Sequence, residues 1–279
     1  MDVNSIRSQF PIFSKKINGK SLIYLDSSNS SQKPISVINT LDHFYKNEFS
    51  NIGRSIHSLA VNATNKFEET RTSVKNFINA NSKDEIIFTK NATESINLVA
   101  STFGQQNIKK GDEILITELE HHSNYVPWYY LKETKGAIIK FVPINDDGDI
   151  IIEKLKELIS SKTKIIAVTH LSNVTGTIVP VKEIVEIARK KNIPVLVDGC
   201  QSAPHIKIDV KDLDCDFYAI SCHKVYGPTG VGILYAKKKW LEKLPPYIGG
   251  GGMINEVKKD KITYAPPPEK YEAGTMPTA

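Results

Sequence analysis

The sequence predicts an α/β protein built on a doubly wound, mainly parallel β-sheet with helices on both faces. From residue 85 onward, short β-rich runs alternate with helical segments, which is typical of parallel strands joined by crossover helices. Polar residues follow several of these runs, at the strand ends where open α/β sheets bind ligands. The chain has 279 residues, of which 40% are hydrophobic, so it can bury a substantial core.

The first 80 residues are expected to be mostly helical. Residues 3–10 predict a short amphipathic helix that stops at the next proline, and residues 22–25 predict a strand that runs into the polar loop DSSNSSQKP. Pro34 suits the first turn of a helix that continues to about Glu48. Apolar residues that recur mostly on one face predict a second helix over residues 60–78.

Six strands are predicted after this helical region. Each is a short run rich in β-branched or aromatic residues, and helical segments, such as residues 181–191, separate most of them. The runs are EIIFT (85–89), EILIT (113–117), AIIKFV (137–142), TKIIAVTH (163–170), PVLVD (194–198) and DFYAIS (216–221).

Charge and cysteine usage exclude several classes of protein. The net charge is +5, but 36 basic and 31 acidic residues are interleaved, which indicates a solvated surface and not a nucleic-acid interface. No run approaches the ~20 apolar residues of a membrane span, and the N-terminus lacks the apolar core of a signal peptide. Three cysteines without a C-x-x-C pair predict neither a disulfide framework nor a zinc site. We therefore expect a cytosolic protein without nucleic-acid or membrane partners.

Two neighbouring strand ends carry the strongest chemical pattern. PVLVD ends in Asp198, and DFYAIS is followed by Lys224 and a Gly-Pro-Thr-Gly turn. Pyridoxal phosphate chemistry needs a lysine amine that condenses with the cofactor aldehyde and a carboxylate that keeps the pyridine nitrogen protonated. An aspartate and a lysine after strands are common in α/β proteins, but the presence of Gln201, Ser221 and His223 beside them favours the cofactor interpretation.

Three further loops follow predicted strands. Thr93 opens a helix whose N-terminus can bind phosphate, although helix capping by Asn91 or Thr93 is the simpler explanation of that loop alone. His121 can lie against an aromatic ring or move protons near neutral pH, although adjacent histidines are also common on surfaces. Asn173 can donate to a phenolic oxygen, and Gly176 permits the turn that follows.

Together with these loops, the sequence resembles the cysteine desulfurase family of the class V aminotransferase fold, in its SUF-type group. The matching segments span nearly the whole chain in the family's order: YLDSSNSSQKP, GRSIH, NATESINLVA, EHHSNYVPW, HLSNVTGT, VDGCQSAPH, DCDFYAISCHKVYGPTGVGILY and YEAGT. The resemblance implies the large domain of a PLP-dependent transferase of fold type I, aspartate-aminotransferase-like, with pyridoxal 5'-phosphate (PLP) as cofactor. We expect an N-terminal segment over residues 1–30 and this PLP-binding domain over residues 31–279.

The resemblance also implies a role for each site residue. Lys224 would carry the cofactor, Asp198 would pair with the pyridine nitrogen, and His121 would stack on the ring. The other cofactor contacts would be Asn173 and Gln201 at the ring oxygen, Ala92 (through its backbone N–H), Thr93, Ser221 and His223 at the phosphate, and Thr275 reaching across from the partner subunit of a homodimer. Substrate contacts are expected at Asn29, Arg54 and Asn173.

Some features depart from the family pattern. The pair Ser28-Asn29 stands where the family has two small residues, Ala92 replaces a hydroxyl residue, and Cys222 replaces the glycine of S-G-H-K. The family continues beyond YEAGT into a small domain that carries the sulfur-accepting cysteine and an arginine for the substrate carboxylate. We therefore expect a C-terminally truncated chain without this domain, which binds PLP weakly and does not turn cysteine over.

The expected function of the family is conversion of L-cysteine into L-alanine and an enzyme-bound persulfide for iron–sulfur cluster assembly. Its partners would be L-cysteine, a second copy of the chain, and a sulfur-acceptor or scaffold protein. Two alternatives stay open. One is another class V enzyme with the same cofactor, such as a selenocysteine lyase or an epimerase. The other is a non-catalytic PLP-binding fragment or partner, which the missing nucleophile favours and the intact Asp198, His121 and Lys224 set disfavours.

Overall fold

The computed structural model describes residues 2–53 and 55–279. Its strands are β1 (Lys16–Ile17), β2 (Lys20–Ser21), β3 (Ile86–Thr89), β4 (Glu113–Thr117), β5 (Ile138–Val142), β6 (Thr163–Thr169), β7 (Val195–Asp198), β8 (Phe217–Ser221), β9 (Gly232–Ala236), β10 (Ile254–Val257) and β11 (Ile262–Tyr264). Its α-helices are α1 (Val3–Ser8), α2 (Ile35–Asn47), α3 (Ser58–Phe77), α4 (Ala92–Asn107), α5 (Val126–Lys135), α6 (Ile152–Leu158), α7 (Val181–Arg189), α8 (Ser202–His205), α9 (Val210–Leu213) and α10 (Lys238–Lys243).

Seven strands form one sheet in the order β3-β9-β8-β7-β6-β4-β5. Strands β8, β7, β6, β4 and β5 pair in parallel, whereas β9 pairs antiparallel with both β8 and β3. Within this sheet β9 therefore runs opposite to the other six strands, and the predicted mainly parallel sheet is confirmed. The remaining strands form two small antiparallel hairpins, β1-β2 and β10-β11.

Helices cover both faces of the sheet. Successive strand residues point to opposite faces, so each strand contributes side chains to the core on either side. On one face, Ala167 of β6 belongs to a buried cluster that includes Trp128 of α5 and residues of α4. On the other face, the adjacent Val168 belongs to a second cluster that includes Ile184 of α7. Two separate cores on one sheet are the arrangement of a doubly wound α/β protein. Within the described residues, none of the helices has the length and apolar content that crossing a membrane requires.

Most predicted elements are present, and two expectations need correction. Residues 22–25 are not a strand, because Ile23 and Leu25 are 79% and 92% exposed and β1-β2 ends at Ser21. The Leu22 N–H still donates to the Lys15 carbonyl at 3.3 Å, but residues 23–25 belong to no strand pair among the described residues, and a strand stays regular only when it pairs with a neighbour. The second correction is to the number of strands. The structure adds β9, which was not among the six predicted strands.

The carboxyl ends of β4, β6, β7 and β8 meet at one edge of the sheet, because these strands are parallel. Strand β3 ends at the same edge, since it is antiparallel to β9. The loops that follow these strands therefore converge, and they form the site described next.

Candidate active site

A cavity of about 320 Å³ lies at this carboxyl edge of the sheet. Five strand-end loops and one N-terminal loop line it. The lining residues are Asn91, Ala92 and Thr93 after β3; His121 and Ser123 after β4; Thr169, Leu171 and Asn173 at the end of β6; Asp198, Cys200 and Gln201 at the end of β7; Ser221, His223 and Lys224 at the end of β8; and Asn29. The residues that the sequence predicted from separate loops are thus brought together.

Asp198 and Lys224 occupy adjacent strand ends. Asp198 is the last residue of β7, opposite Ala219 in the parallel pairing with β8. Its carboxylate is 4% exposed, and its Oδ1 accepts the backbone N–H of Cys200 at 3.0 Å. Lys224 ends a 3₁₀ turn that begins directly after β8. The cavity therefore presents a buried carboxylate and a half-buried amine from neighbouring strands.

The His121 ring has a defined tautomer. Its Nδ1 accepts the backbone N–H of Ser123 at 3.1 Å and lies 2.7 Å from the Ser123 hydroxyl. A backbone N–H can only donate, so Nδ1 is unprotonated and Nε2 carries the proton. Partial burial is the main cause that lowers the pKa of His121; Asp198 opposes this effect, and Lys224 and His122 add to it. The imidazole is therefore neutral at neutral pH.

Glu120 fixes the start of the His121 loop. Its Oε1 accepts the Thr117 hydroxyl at 2.6 Å and the backbone N–H of Thr169 at 2.8 Å, and its Oε2 accepts the Asn124 amide at 2.6 Å. These contacts join the ends of β4 and β6, the two strands that carry His121 and Asn173. Burial, with a smaller effect from Asp198, raises the pKa of Glu120 to about 8, and the three hydrogen-bond donors act in the opposite direction.

The N-terminus of α4 faces the cavity. Asn91 caps this helix, because its side chain accepts the backbone N–H of Glu94 at 2.8 Å. The N–H of Ala92 donates to the Ser221 hydroxyl at 3.0 Å, which links two of the residues expected at the phosphate. A Cβ on Gly232 of β9 would lie 2.4 Å from the backbone of Asn91, so only glycine permits this close approach of β9 to the loop. Asn91 therefore caps the helix, as the simpler interpretation has it, and Thr93 lines the cavity, while phosphate binding by Thr93 stays a prediction.

Three amide side chains also line the cavity. Gln201 is 5% exposed and donates through Nε2 to the backbone oxygen of Ser28 at 2.6 Å. Asn29 is exposed, and its amide donates to Asp26 at 2.7 Å. Asn173 is also exposed at the cavity, in a loop whose turn Ser172 stabilises by accepting two backbone N–H groups at 3.2 Å.

A buried hydrogen-bond chain lies beneath Asp198. The Tyr218 hydroxyl is 2.9 Å from His170 Nδ1 and 2.6 Å from the Ser202 hydroxyl. Because these residues belong to β8, the end of β6 and α8, the chain connects three of the elements that form the site. Burial lowers the pKa of His170 to about 4, so this imidazole is neutral. Gly199 is required here, since a Cβ at that position would lie 1.9 Å from the Tyr218 ring.

Arg54 and Thr275 were also expected to contact the substrate or the cofactor. Arg54 lies outside the described residues. Thr275 is exposed, and the cavity lining does not include it. The sequence interpretation in turn gave no role to Ser123, Thr169 or Leu171, although each lines the cavity. Their positions at or just after β4 and β6 were the available signal, because the strand-end rule applies to them as it does to Asp198.

The three cysteines are poorly suited to act as nucleophiles. Burial raises the pKa of Cys215 to about 12 and that of Cys222 to about 11. Burial also raises the pKa of Cys200 well above its ordinary value, and the neighbouring Asp198 acts in the same direction. Because the thiolate is the reactive form, these thiols are weakly reactive at neutral pH.

The fold and this cavity define the class of protein. The chain belongs to the class-V aminotransferase family, whose model matches residues 23–279. It is 49% identical over 275 residues to a probable cysteine desulfurase of Halalkalibacterium halodurans, which covers 99% of this chain and 68% of that protein.

Solved structures agree with this assignment. The cysteine desulfurase CsdA of Escherichia coli superposes with a TM-score of 0.91 at 37% identity, over 100% of this chain and 68% of that one. A mutant of C-DES with glycine covalently linked to its PLP cofactor gives a TM-score of 0.80 at 25% identity, over 97% of this chain and 69% of that one. The chain spans between 40% and 68% of the length of similar curated cysteine desulfurases.

Proposed function

We propose that this protein is a PLP-dependent cysteine desulfurase, which converts L-cysteine into L-alanine and transfers the sulfur to a thiol as a persulfide. One observation carries the proposal: Lys224, Asp198 and His121 reach a single cavity from three different strand ends, in a chain of the class-V aminotransferase family. The names of its relatives supply the substrate, since similar proteins along nearly the whole chain are named cysteine desulfurase or probable cysteine desulfurase.

The residues that line the cavity fit PLP. Lys224 supplies the amine that would bind the aldehyde, Asp198 a buried carboxylate for the ring nitrogen, and His121 a neutral ring for stacking. The phosphate would lie at the N-terminus of α4, where the helix dipole favours an anion. Thr93, Ser221 and His223 line the same cavity and would contact the phosphate, and Asn173 and Gln201, also in the lining, would contact the ring oxygen.

When bound, PLP would supply the electron sink that stabilises negative charge at the substrate Cα. The residues of this chain would manage the protons. Lys224 Nζ would accept the Cα proton, and Asp198 would hold the ring nitrogen in its protonated form, because an opposite charge nearby favours the charged form. His121 is neutral because burial lowers its pKa, and its Nε2–H can donate a hydrogen bond into the cavity.

We propose that the sulfur-accepting thiol is none of the three cysteines described above, because burial raises the pKa of each. We also propose that the protein acts in the cytoplasm as a homodimer in which Thr275 of each subunit contacts the phosphate of the other site. A sulfur-acceptor or scaffold protein of iron–sulfur assembly would receive the persulfide, and Asn29, Arg54 and Asn173 would contact the substrate. The exposed position of Thr275 is compatible with a contact across an interface.

The test is alanine formation from L-cysteine by the purified protein supplied with PLP and an excess of a small-molecule dithiol, which can accept the sulfur because none of the three described cysteines is proposed to do so. The matched control is Lys46→Ala, which removes an exposed lysine on α2. Alanine is expected from the unaltered protein and from Lys46→Ala, and none is expected from Lys224→Ala. Equal alanine formation by Lys224→Ala and Lys46→Ala would show that the reaction does not use this cavity.

A further inference from the structure

We propose that Ser31 and Lys33 form a backbone clamp that positions Lys224 for capture of PLP. The clamp is defined as Ser31, Lys33 and the His223 carbonyl. These two residues belong to the polar loop before α2. In the proposed function, Asn29 is the residue of this loop that has a role. The proposal rests on the proposed function, because it assumes that Lys224 is the residue that binds PLP.

The contacts of the clamp converge on one atom. The His223 carbonyl oxygen accepts the Ser31 backbone N–H at 3.1 Å, the Ser31 hydroxyl at 3.0 Å and Lys33 Nζ at 2.8 Å. This carbonyl belongs to the peptide bond that joins His223 to Lys224. Since the peptide bond is planar, fixing its oxygen also fixes the backbone nitrogen of Lys224 and the direction in which that residue leaves the turn.

The turn that the clamp holds is strained. Tyr226, two residues after Lys224, has φ +62°, in the left-handed region that residues other than glycine rarely adopt. The backbone N–H of Tyr226 donates to the Ser31 hydroxyl at 2.9 Å. Ser31 therefore contacts the turn on both sides of Lys224: it donates to His223 and accepts from Tyr226. Strained backbone of this kind persists only where the surrounding contacts enforce it.

Lys33 strengthens the clamp through its charge. Its Nζ donates to the Ser31 carbonyl at 2.7 Å as well as to the His223 carbonyl, so one cation bridges the loop and the turn. Hydrogen bonds from a charged donor are stronger than neutral ones. Ser31 is 5% exposed and Lys33 is half-buried, so water competes little for these contacts. Burial lowers the pKa of Lys33, and Cys222 opposes this effect.

The clamp differs from a simple tether of the loop in one testable respect. A tether holds residues 26–34 in place but has no effect on the strain at Tyr226. A clamp holds the Lys224 turn in a conformation that it would otherwise leave. Replacing Tyr226 by glycine, which adopts positive φ without cost, should therefore compensate for the loss of Ser31. Alanine at position 226 also removes the Tyr226 ring but keeps the strain, so it is the matched control.

The experiment follows PLP capture by the cofactor-free 279-residue chain. The rate is read from the visible absorbance band, and capture at Lys224 is confirmed by borohydride reduction and peptide mass spectrometry. Ser31→Ala and Lys33→Met should each slow capture by about tenfold or more, the scale expected for losing hydrogen bonds of this type. Lys46→Met, at an exposed lysine, should capture PLP at the parental rate. Adding Tyr226→Gly to Ser31→Ala should restore most of the rate, and adding Tyr226→Ala should not.

Two results would overturn the clamp: parental capture rates in both Ser31→Ala and Lys33→Met, or equal rescue by Tyr226→Gly and Tyr226→Ala. Hydrogen exchange of the cofactor-free chain provides a readout that does not depend on PLP. Ser31→Ala should speed amide exchange at residues 225–227, and unchanged exchange there would also contradict the clamp. A parental chain that captures no PLP would instead refute the proposed function, while the exchange experiment would still decide whether the clamp exists.

Discussion

The buried ion pair between Arg71 and Glu272 gives the most quantitative prediction. Arg71 Nη1 and Nη2 donate to the two oxygens of Glu272 at 2.7 and 2.8 Å, and these residues are 1% and 8% exposed. Nη1 also donates to the Ile86 carbonyl at 2.8 Å, and Glu272 accepts the N–H of Phe88 at 2.7 Å. The pair therefore ties the C-terminal segment to β3, the strand that leads into the Asn91–Thr93 loop.

Arg71→Met would leave the Glu272 carboxylate buried without its cation. Removing one partner of a buried ion pair costs about 3–5 kcal/mol, because the remaining charge is desolvated and uncompensated. A domain of ordinary stability unfolds with a free energy of about 5–15 kcal/mol, so this single change removes a large share of it. The double variant Arg71→Met/Glu272→Met should be more stable than Arg71→Met alone, since no unpaired charge is left.

The assay is urea unfolding followed by circular dichroism, with the midpoint compared among variants. Lys83→Met is the matched control, because the Lys83–Glu68 pair joins α3 to the approach to β3 but is 49% and 33% exposed. Exposed pairs contribute only about 0–1 kcal/mol, so this midpoint should barely move. Equal midpoint shifts for Arg71→Met and Lys83→Met, or a double variant less stable than Arg71→Met, would refute the reasoning.

Three further predictions concern the site. Asp198→Asn should keep the fold and some cofactor but slow exchange of the substrate Cα proton with deuterium, because the ring nitrogen loses its charged partner; exchange at the parental rate would remove Asp198 from this role. Burial raises the pKa of Cys222 to about 11, so at pH 8 iodoacetamide should alkylate it roughly a hundredfold more slowly than an unperturbed thiol, with the rate rising about tenfold per pH unit and levelling off above about pH 11; rapid alkylation at pH 8 would contradict this. Tyr218→Phe should lower the free energy of unfolding by about 1–3 kcal/mol, because His170 and Ser202 lose their buried partner. An unchanged urea midpoint would show that the hydrogen bonds of the Tyr218 hydroxyl contribute nothing to stability.

The predicted fold was accurate where local patterns determine structure. Runs such as 163–170 and 194–198 are strands because their β-branched residues fit a buried sheet, and Pro34 does precede α2. The prediction over residues 22–25 was wrong for a non-local reason. Ile23 and Leu25 have the composition of a strand, but no neighbouring strand among the described residues pairs with them. Composition alone does not provide a pairing partner.

The site shows the same division between local and non-local information. The strand-end rule brought Asp198, His121 and Lys224 to one edge, and the structure places all three in one cavity. The contacts between Lys33 and His223 were not predictable, because 190 residues separate them and a lysine in a polar loop has no distinctive pattern. The contact of Glu120 with Thr169, across 49 residues, depends in the same way on the register of β4 against β6.

The central claim is that Lys224 is the residue that binds PLP in this cavity. The most direct test is to incubate the purified chain with PLP, reduce it with borohydride, digest it and locate the modified lysine by mass spectrometry. The cofactor is expected to be attached to Lys224, and Lys224→Ala is expected to yield no modified peptide from the cavity. Modification of another lysine at equal yield, or trapping that persists in Lys224→Ala, would contradict this claim.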